Sequence, residues 1–193
     1  MKKYFSLILV IVLAFSLAAC GKENVDVTTQ SATTEASLTD EQIVTRNAIA
    51  AFVNLQLPTI EKNRDSAVAQ FNEYFANSTD TSVDWAGKLT AALADYDTYM
   101  TDLNAINSDD AEFSQLLNLY KSSASAQRDA MSDIVEALVN FDSSMFDAAQ
   151  DKMNESKDYM VQYETKLKEC CDKYMINING DFSMATSSDS DES

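Results

Sequence analysis

The sequence predicts an all-α protein, an antiparallel up-down four-helix bundle whose first helix is split or kinked at Pro58. Two observations predict this fold. Apolar residues recur in alternating steps of three and four over long stretches, which is the spacing of helices that pack lengthwise against one another. Short polar segments separate these stretches, and short connections force neighbouring helices to run antiparallel.

The first helix is predicted to begin at Thr39, where the residues 39–42 fit a capping box. Pro58 lacks an amide hydrogen and its ring clashes with the preceding turn, so it should break or kink the helix. A second half then runs from Thr59 to about Ala76. The predicted inward positions of both halves are Ile43, Ile49, Phe52, Val53, Leu57, Ile60, Ala67, Val68, Phe71 and Phe75.

The second helix is predicted from about Ser82 to Ile106, after a turn at residues 77–80. Residues 107–110 supply the next break, in which Ser108 is the expected N-cap because its hydroxyl can accept a backbone amide. The buried stripe of the second helix is Ala86, Leu89, Leu93, Tyr96, Met100 and Leu103. The third helix carries Phe113, Leu117, Tyr120, Ala124, Gln127, Met131, Ile134, Leu138 and Phe141.

The fourth helix follows a break at residues 142–144 and is expected to end near Asn179 and Gly180, since glycine accepts the left-handed cap conformation. Its stripe is Phe146, Ala149, Met153, Ser156, Met160, Tyr163, Leu167, Cys170 and Tyr174. Polar segments without apolar periodicity flank the bundle, and we expect both to be disordered. The predicted organisation is a signal peptide at 1–19, a lipidated cysteine and flexible linker at 20–38, the bundle at 39–181 and an acidic tail at 182–193.

The first twenty residues carry the most specific motif in the chain. Lys2 and Lys3 precede an apolar run over residues 4–19, which is typical of a signal peptide and shorter than the roughly 20 residues of a membrane-spanning helix. The run ends in Leu17-Ala18-Ala19-Cys20, which resembles the lipobox of bacterial lipoproteins. The resemblance covers only residues 1–21 and implies lipidation of Cys20, cleavage before it, and an anchor on the extracytoplasmic face of the cell membrane, at the outer surface or in the periplasm. An ordinary signal peptide or an uncleaved anchor is the alternative.

Composition excludes most enzyme classes. The chain contains no histidine, which rules out Ser-His-Asp and Cys-His catalysis and removes the usual ligand of zinc, copper and non-haem iron. Its three glycines are too few and too scattered for a phosphate-binding loop. A net charge of −17 argues against binding of nucleic acid or an anionic lipid surface. We therefore expect a protein that is not an enzyme and has no cofactor or metal.

Two other features leave alternatives open. The adjacent Cys170 and Cys171 are predicted to be structural thiols, with an intermolecular disulfide or redox pair as the alternative. Folding the helices back at their turns also places several polar residues midway along the bundle. They either form a small ligand site between helices or are polar core residues that fix helix register. These residues are Arg64, Asp95, Tyr96, Tyr120, Gln127 and Ser156.

The function that these features favour is a membrane-anchored, non-enzymatic lipoprotein whose bundle serves interaction or scaffolding. The partners would be the membrane, through the lipid anchor, and a protein or cationic partner of unknown identity. The alternative is capture of a cationic small molecule or peptide by an acidic groove beside the split first helix. A third hypothesis, an enzyme that uses only carboxylates as acid and base, requires two close carboxylates in a cleft.

Overall fold

The computed structural model describes residues 38–178, and within them every regular element is helical. The helices are α1 (Asp40–Ala51), a π-helical segment (Phe52–Gln56), α2 (Leu57–Asn77), α3 (Trp85–Ala105), α4 (Ala111–Asn140) and α5 (Met145–Tyr174). The π-helical segment joins α1 and α2 into one rod, so four long rods are present in this part of the chain. Each rod packs against the next, and α1 contacts both α4 and α5. The predicted antiparallel four-helix bundle is confirmed.

The interruption of the first rod lies just before Pro58. Thr39 and Gln42 form the predicted capping box, in which each side chain accepts a hydrogen bond from the backbone amide of the other residue. The helix then widens into the π turn over residues 52–56, and α2 begins with Pro58 in its first turn. A wider turn accommodates a proline because the missing amide and the bulky ring disturb regular α-helical bonding. The π-helical segment therefore interrupts the α-helix without ending it, because helical residues continue from Asp40 to Asn77.

The buried face of α3 differs from its predicted stripe. Leu89, Tyr96 and Leu103 are fully buried as predicted, but the intervening positions shift by one residue. Ala86, Leu93 and Met100 are half-buried, whereas Trp85, Ala92 and Tyr99 are buried. The helix also begins at Trp85 rather than near Ser82, capped by the Asp84 carboxylate on the Gly87 amide. The face is broad because α3 packs between α2 and α4.

The N-cap of α4 is Asp110 and not Ser108. The Asp110 carboxylate accepts the Phe113 amide at 2.7 Å, while the Ser108 hydroxyl accepts the Asp110 amide. The carboxylate also accepts a hydrogen bond of 2.7 Å from the Thr45 hydroxyl. A carboxylate suits this position because it stabilises the positive end of the helix dipole as well as the free amides. The same group fixes α1 to the start of α4.

The predicted burial of Phe141 at the end of α4 and the predicted end of α5 are both wrong. Phe141, predicted as the last buried residue of its stripe, is 94% exposed and adopts a left-handed conformation at φ 56°. The last helix ends at Tyr174, well before Asn179 and Gly180, because Met175 takes the left-handed conformation at φ 55°. Ile176 then donates its amide to the Cys171 carbonyl and packs into the core, so the chain leaves the helical path.

Several predicted features lie outside the described residues. They are the signal peptide, Cys20, the linker up to residue 37, Asn179, Gly180 and the acidic tail. In the described range, no helix is both long enough and apolar enough to cross a membrane.

Candidate functional site: a buried polar cluster

Five of the six predicted polar core residues are buried. They come from every part of the bundle except α1, and they are Arg64 on α2, Tyr96 on α3, Tyr120 and Gln127 on α4, and Ser156 on α5. Asp95 is exposed, so the prediction was wrong for this residue. Consecutive helical residues point about 100° apart, and the burial of Tyr96 therefore turns Asp95 towards solvent.

Gln127 lies at the centre of the cluster. Its side-chain oxygen accepts a hydrogen bond from Arg64 Nε at 3.3 Å and another from the Tyr96 hydroxyl at 2.9 Å. The Tyr96 hydroxyl is also 3.1 Å from the carbonyl oxygen of Ala124, one turn earlier on α4. One amide side chain thus links α2, α3 and α4 through the interior of the bundle.

A second branch of the cluster contains two residues that the sequence-based prediction missed, Glu61 and Tyr99. The Tyr120 hydroxyl donates to the Glu61 carboxylate, and the Tyr99 hydroxyl donates to Tyr120 at 3.2 Å. Glu61 also lies 4.0 Å from Arg64 Nη1. Helical spacing could have revealed both residues, because Glu61 precedes Arg64 by one turn and Tyr99 follows Tyr96 by one turn.

Ser156 takes part in a separate contact between α4 and α5. Its hydroxyl donates to the Ser123 carbonyl at 2.8 Å, and the Ser123 hydroxyl donates to the Ser156 carbonyl at 2.8 Å. Both side chains are small and buried, which lets the two helix backbones approach closely at this level. Ser156 therefore aligns α5 with α4 through a reciprocal serine pair.

Tyr163 on α5 packs against the cluster without joining its hydrogen bonds. Its side chain is fully buried and its ring centroid is 5.0 Å from that of Tyr120, yet its hydroxyl has no hydrogen-bond partner. A buried hydroxyl without a partner is energetically unfavourable. The sequence predicted the burial of Tyr163 from its place in the apolar stripe, but not the state of its hydroxyl.

Burial keeps the tyrosine hydroxyls of the cluster protonated at neutral pH. Burial raises the pKa of the Tyr96, Tyr120 and Tyr163 hydroxyls, and it raises the pKa of Tyr99 to about 12. Burial acts to lower the pKa of Arg64, but the neighbouring tyrosines and Glu61 outweigh it and raise the pKa overall. The phenols therefore stay neutral, the guanidinium stays charged, and the cluster supplies no phenolate.

Cys170 and Cys171, adjacent on α5, form no disulfide with each other; Cys170 is buried and Cys171 is half-buried. Cys170 Sγ lies 3.9 Å from the Glu112 carboxylate. Burial, with the nearby carboxylate, raises the pKa of Cys170 to about 11, so the thiol is protonated at neutral pH. Because the thiolate is the reactive form of cysteine, this environment favours a structural role for Cys170.

Within residues 38–178, no group of three His, Cys, Asp or Glu side chains is arranged to hold a metal ion. Apart from the Tyr163 hydroxyl, the polar groups of the cluster instead bind one another across helices. Such an arrangement can fix the rotation and axial position of each helix, since shifting one helix would leave several buried groups without partners.

No family model matches the chain, and no curated protein or solved structure matches it either.

Proposed function

We propose that this protein is a membrane-anchored extracytoplasmic lipoprotein, lipidated on Cys20, whose helical bundle serves interaction or scaffolding and not catalysis. The observation that carries the role of the bundle is the mutual pairing of its buried polar groups. The Gln127 side-chain oxygen accepts hydrogen bonds from Arg64 and Tyr96. The Glu61 carboxylate accepts a hydrogen bond from Tyr120. Groups that satisfy one another in the core support a stable framework whose contacts with partners lie on its outer surface.

The charge of the chain supports attachment through lipid rather than through the protein surface. Because the chain carries 31 acidic and 14 basic residues, it would be repelled by anionic headgroups. Acyl chains on Cys20 would supply the attraction, at about 0.8 kcal/mol for each buried methylene, and two or more chains make a stable anchor. The lipobox resemblance and the acidic bundle are therefore compatible with a single mode of attachment.

The alternative, binding of a cationic small molecule or peptide beside the split first helix, stays a prediction. Among the cluster residues, Glu61 supplies the carboxylate that follows this interruption in the chain. Its Oε1 atom lies 4.0 Å from Arg64 Nη1. A resident guanidinium reduces the attraction for a second cation at this point. We therefore favour the interaction role over the ligand-binding role.

The anchor is tested by Cys20→Ala in cells supplied with a labelled fatty acid. The variant should incorporate no label and should shift out of the membrane fraction or accumulate as an uncleaved precursor. Cys171→Ala is the matched control, because it removes a half-buried cysteine of the bundle and should keep both the label and the membrane association. If Cys20→Ala retains both properties of the natural protein, the proposal is wrong.

A further inference from the structure

The turn between α4 and α5 presents an aromatic side chain to solvent. Phe141 is 94% exposed, and Val139 beside it is 54% exposed. Phe141 also holds a left-handed backbone conformation at φ 56°, which disfavours residues with a side chain and is usually given to glycine. Neither burial nor backbone preference accounts for a phenylalanine at this position.

The turn is well ordered by hydrogen bonds. The Asp142 carboxylate accepts the amide of Ser144 at 3.0 Å and its hydroxyl at 2.7 Å. The Asp142 amide donates to the carbonyl of Ala137 at 3.1 Å. The backbone on either side of Phe141 is therefore held in a defined conformation, and a residue whose backbone is already ordered loses less conformational freedom on binding.

The chain segment that contains this apolar group is acidic. Residues 136–147, which we call the tip, include Glu136, Asp142 and Asp147 but no lysine or arginine. The nearest basic residues along the chain are already paired, Arg128 with Asp97 and Asp129, and Lys152 with Asp133. The tip thus combines an exposed aromatic ring with acidic charge that has no basic counterpart within the segment.

The tip lies at the opposite end of the bundle from the start of the described chain. Thr45 in α1 bonds to Asp110, at the start of α4, whereas Phe141 follows the last residue of that helix. Thirty helical residues at a rise of 1.5 Å separate the two ends by about 45 Å. A chain attached through its N-terminal side leaves the tip accessible.

We propose that the tip docks on a protein partner through insertion of Phe141 into an apolar pocket rimmed by lysine or arginine side chains. This inference rests on the proposed interaction role of the bundle. A basic rim complements Glu136, Asp142 and Asp147, and a central aromatic residue is the usual energetic anchor of such interfaces. A second copy of this chain is a poor occupant, because its net charge of −17 would repel an identical tip.

The test uses the purified full-length protein and a synthetic amphipathic helical peptide of leucine and lysine, titrated by calorimetry in 150 mM NaCl. Phe141→Gly is compared with Met175→Gly, which removes the second left-handed side chain at the other end of the bundle. Both variants should raise the melting temperature by about 2–5 °C because both relieve the backbone conformation. Only Phe141→Gly should weaken peptide binding, by about tenfold or more.

Equal peptide affinity of the natural protein and Phe141→Gly would overturn the proposal, as would equal losses in both glycine variants or no binding at all. Dimerisation that depends on Phe141 would assign the tip to a second copy, and binding to neutral phosphatidylcholine vesicles that depends on Phe141 would assign it to lipid. Either result also overturns the proposal. The Cys20→Ala assay tests the lipid anchor independently of the tip. A wrong proposal for the tip can therefore be distinguished from a wrong proposal for the anchor.

Discussion

Tyr120 and Tyr163 pack against each other from neighbouring helices, but their hydroxyl groups differ in hydrogen bonding. The Tyr120 hydroxyl donates to Glu61 and accepts from Tyr99, whereas the Tyr163 hydroxyl has no partner. Removing a hydrogen-bonded hydroxyl leaves its partners without a hydrogen bond, whereas removing an unbonded hydroxyl eliminates an unfavourable buried polar group. The same chemical change should therefore have different effects at the two positions.

Tyr120→Phe should lower the free energy of unfolding by about 1–3 kcal/mol, because Glu61 and Tyr99 lose their hydrogen-bond partner. Tyr163→Phe, its matched control, should leave that free energy within about 0.5 kcal/mol of the natural value or raise it. Urea denaturation followed by circular dichroism measures both. A loss above about 1 kcal/mol in Tyr163→Phe would instead indicate a bound water that satisfies the hydroxyl.

At this scale the sequence predicted burial better than it predicted polar contacts. The stripe of α5 is confirmed at Met153, Met160 and Leu167, because an evenly spaced apolar stripe defines one face of a helix. The predicted burial of Asp95 was wrong, and the place of Tyr99 in the cluster was not predicted. An error of one residue in the position of a helical stripe rotates the inferred side-chain direction by about 100°. Contacts between polar residues of different helices depend on how three helices are rotated relative to one another. The apolar stripe of a single helix does not determine this relative rotation.

Glu112 joins the first turn of α4 to the last turns of α5. Its carboxylate accepts hydrogen bonds from Lys173 at 2.7 Å, Tyr174 at 2.5 Å and Lys166 at 3.3 Å. The hydrogen bond from Lys173 contributes most to lowering the pKa of Glu112 from 4.5 to about 2, followed by that from Tyr174. A carboxyl group whose pKa is lower in the folded protein stabilises the fold when it is ionised.

Glu112→Gln should lower the free energy of unfolding by about 1–2 kcal/mol at pH 7, a modest effect because the site is partly open to solvent. The stabilisation is fully present above pH 4.5 and is lost as the pH falls towards 2. The difference between the natural protein and the variant should therefore shrink over this range in urea titrations. Glu155→Gln, at an exposed position of α5, should show no such change, and a constant difference for Glu112→Gln would contradict the assignment.

The ends of the helices were the least predictable elements. Prediction placed the end of α5 at Gly180 because glycine is the usual left-handed residue. The structure instead uses Phe141 and Met175 for this purpose. Burial of Ile176 immediately after Met175 favours the reversal of the chain there, and such a tertiary contact has no local signature in the sequence. The interruption at Pro58 was predictable because the effect of proline is local.

For the molecule as a whole, the order and direction of the helices followed from the long stripes and the short polar breaks. The acidic composition is also a property of the whole chain, with 31 acidic and 14 basic residues. An excess of charges of one sign destabilises a compact fold, because these like charges repel one another. Local pairs such as Arg128 with Asp97 and Lys88 with Glu73 act in the opposite direction, but pairs this open to solvent contribute only about 0–1 kcal/mol each.

Repulsion should therefore dominate the response of the protein to salt. Raising NaCl from 10 to 150 mM shortens the Debye length from about 30 Å to about 8 Å, which screens repulsion across the bundle. The melting temperature should rise by about 2–5 °C, and tetramethylammonium chloride should give the same rise if screening is the cause. The double variant Asp95→Lys and Glu155→Lys, at two exposed positions, should respond less because its charge is less negative. A melting temperature that falls with salt would show that the ion pairs outweigh the repulsion.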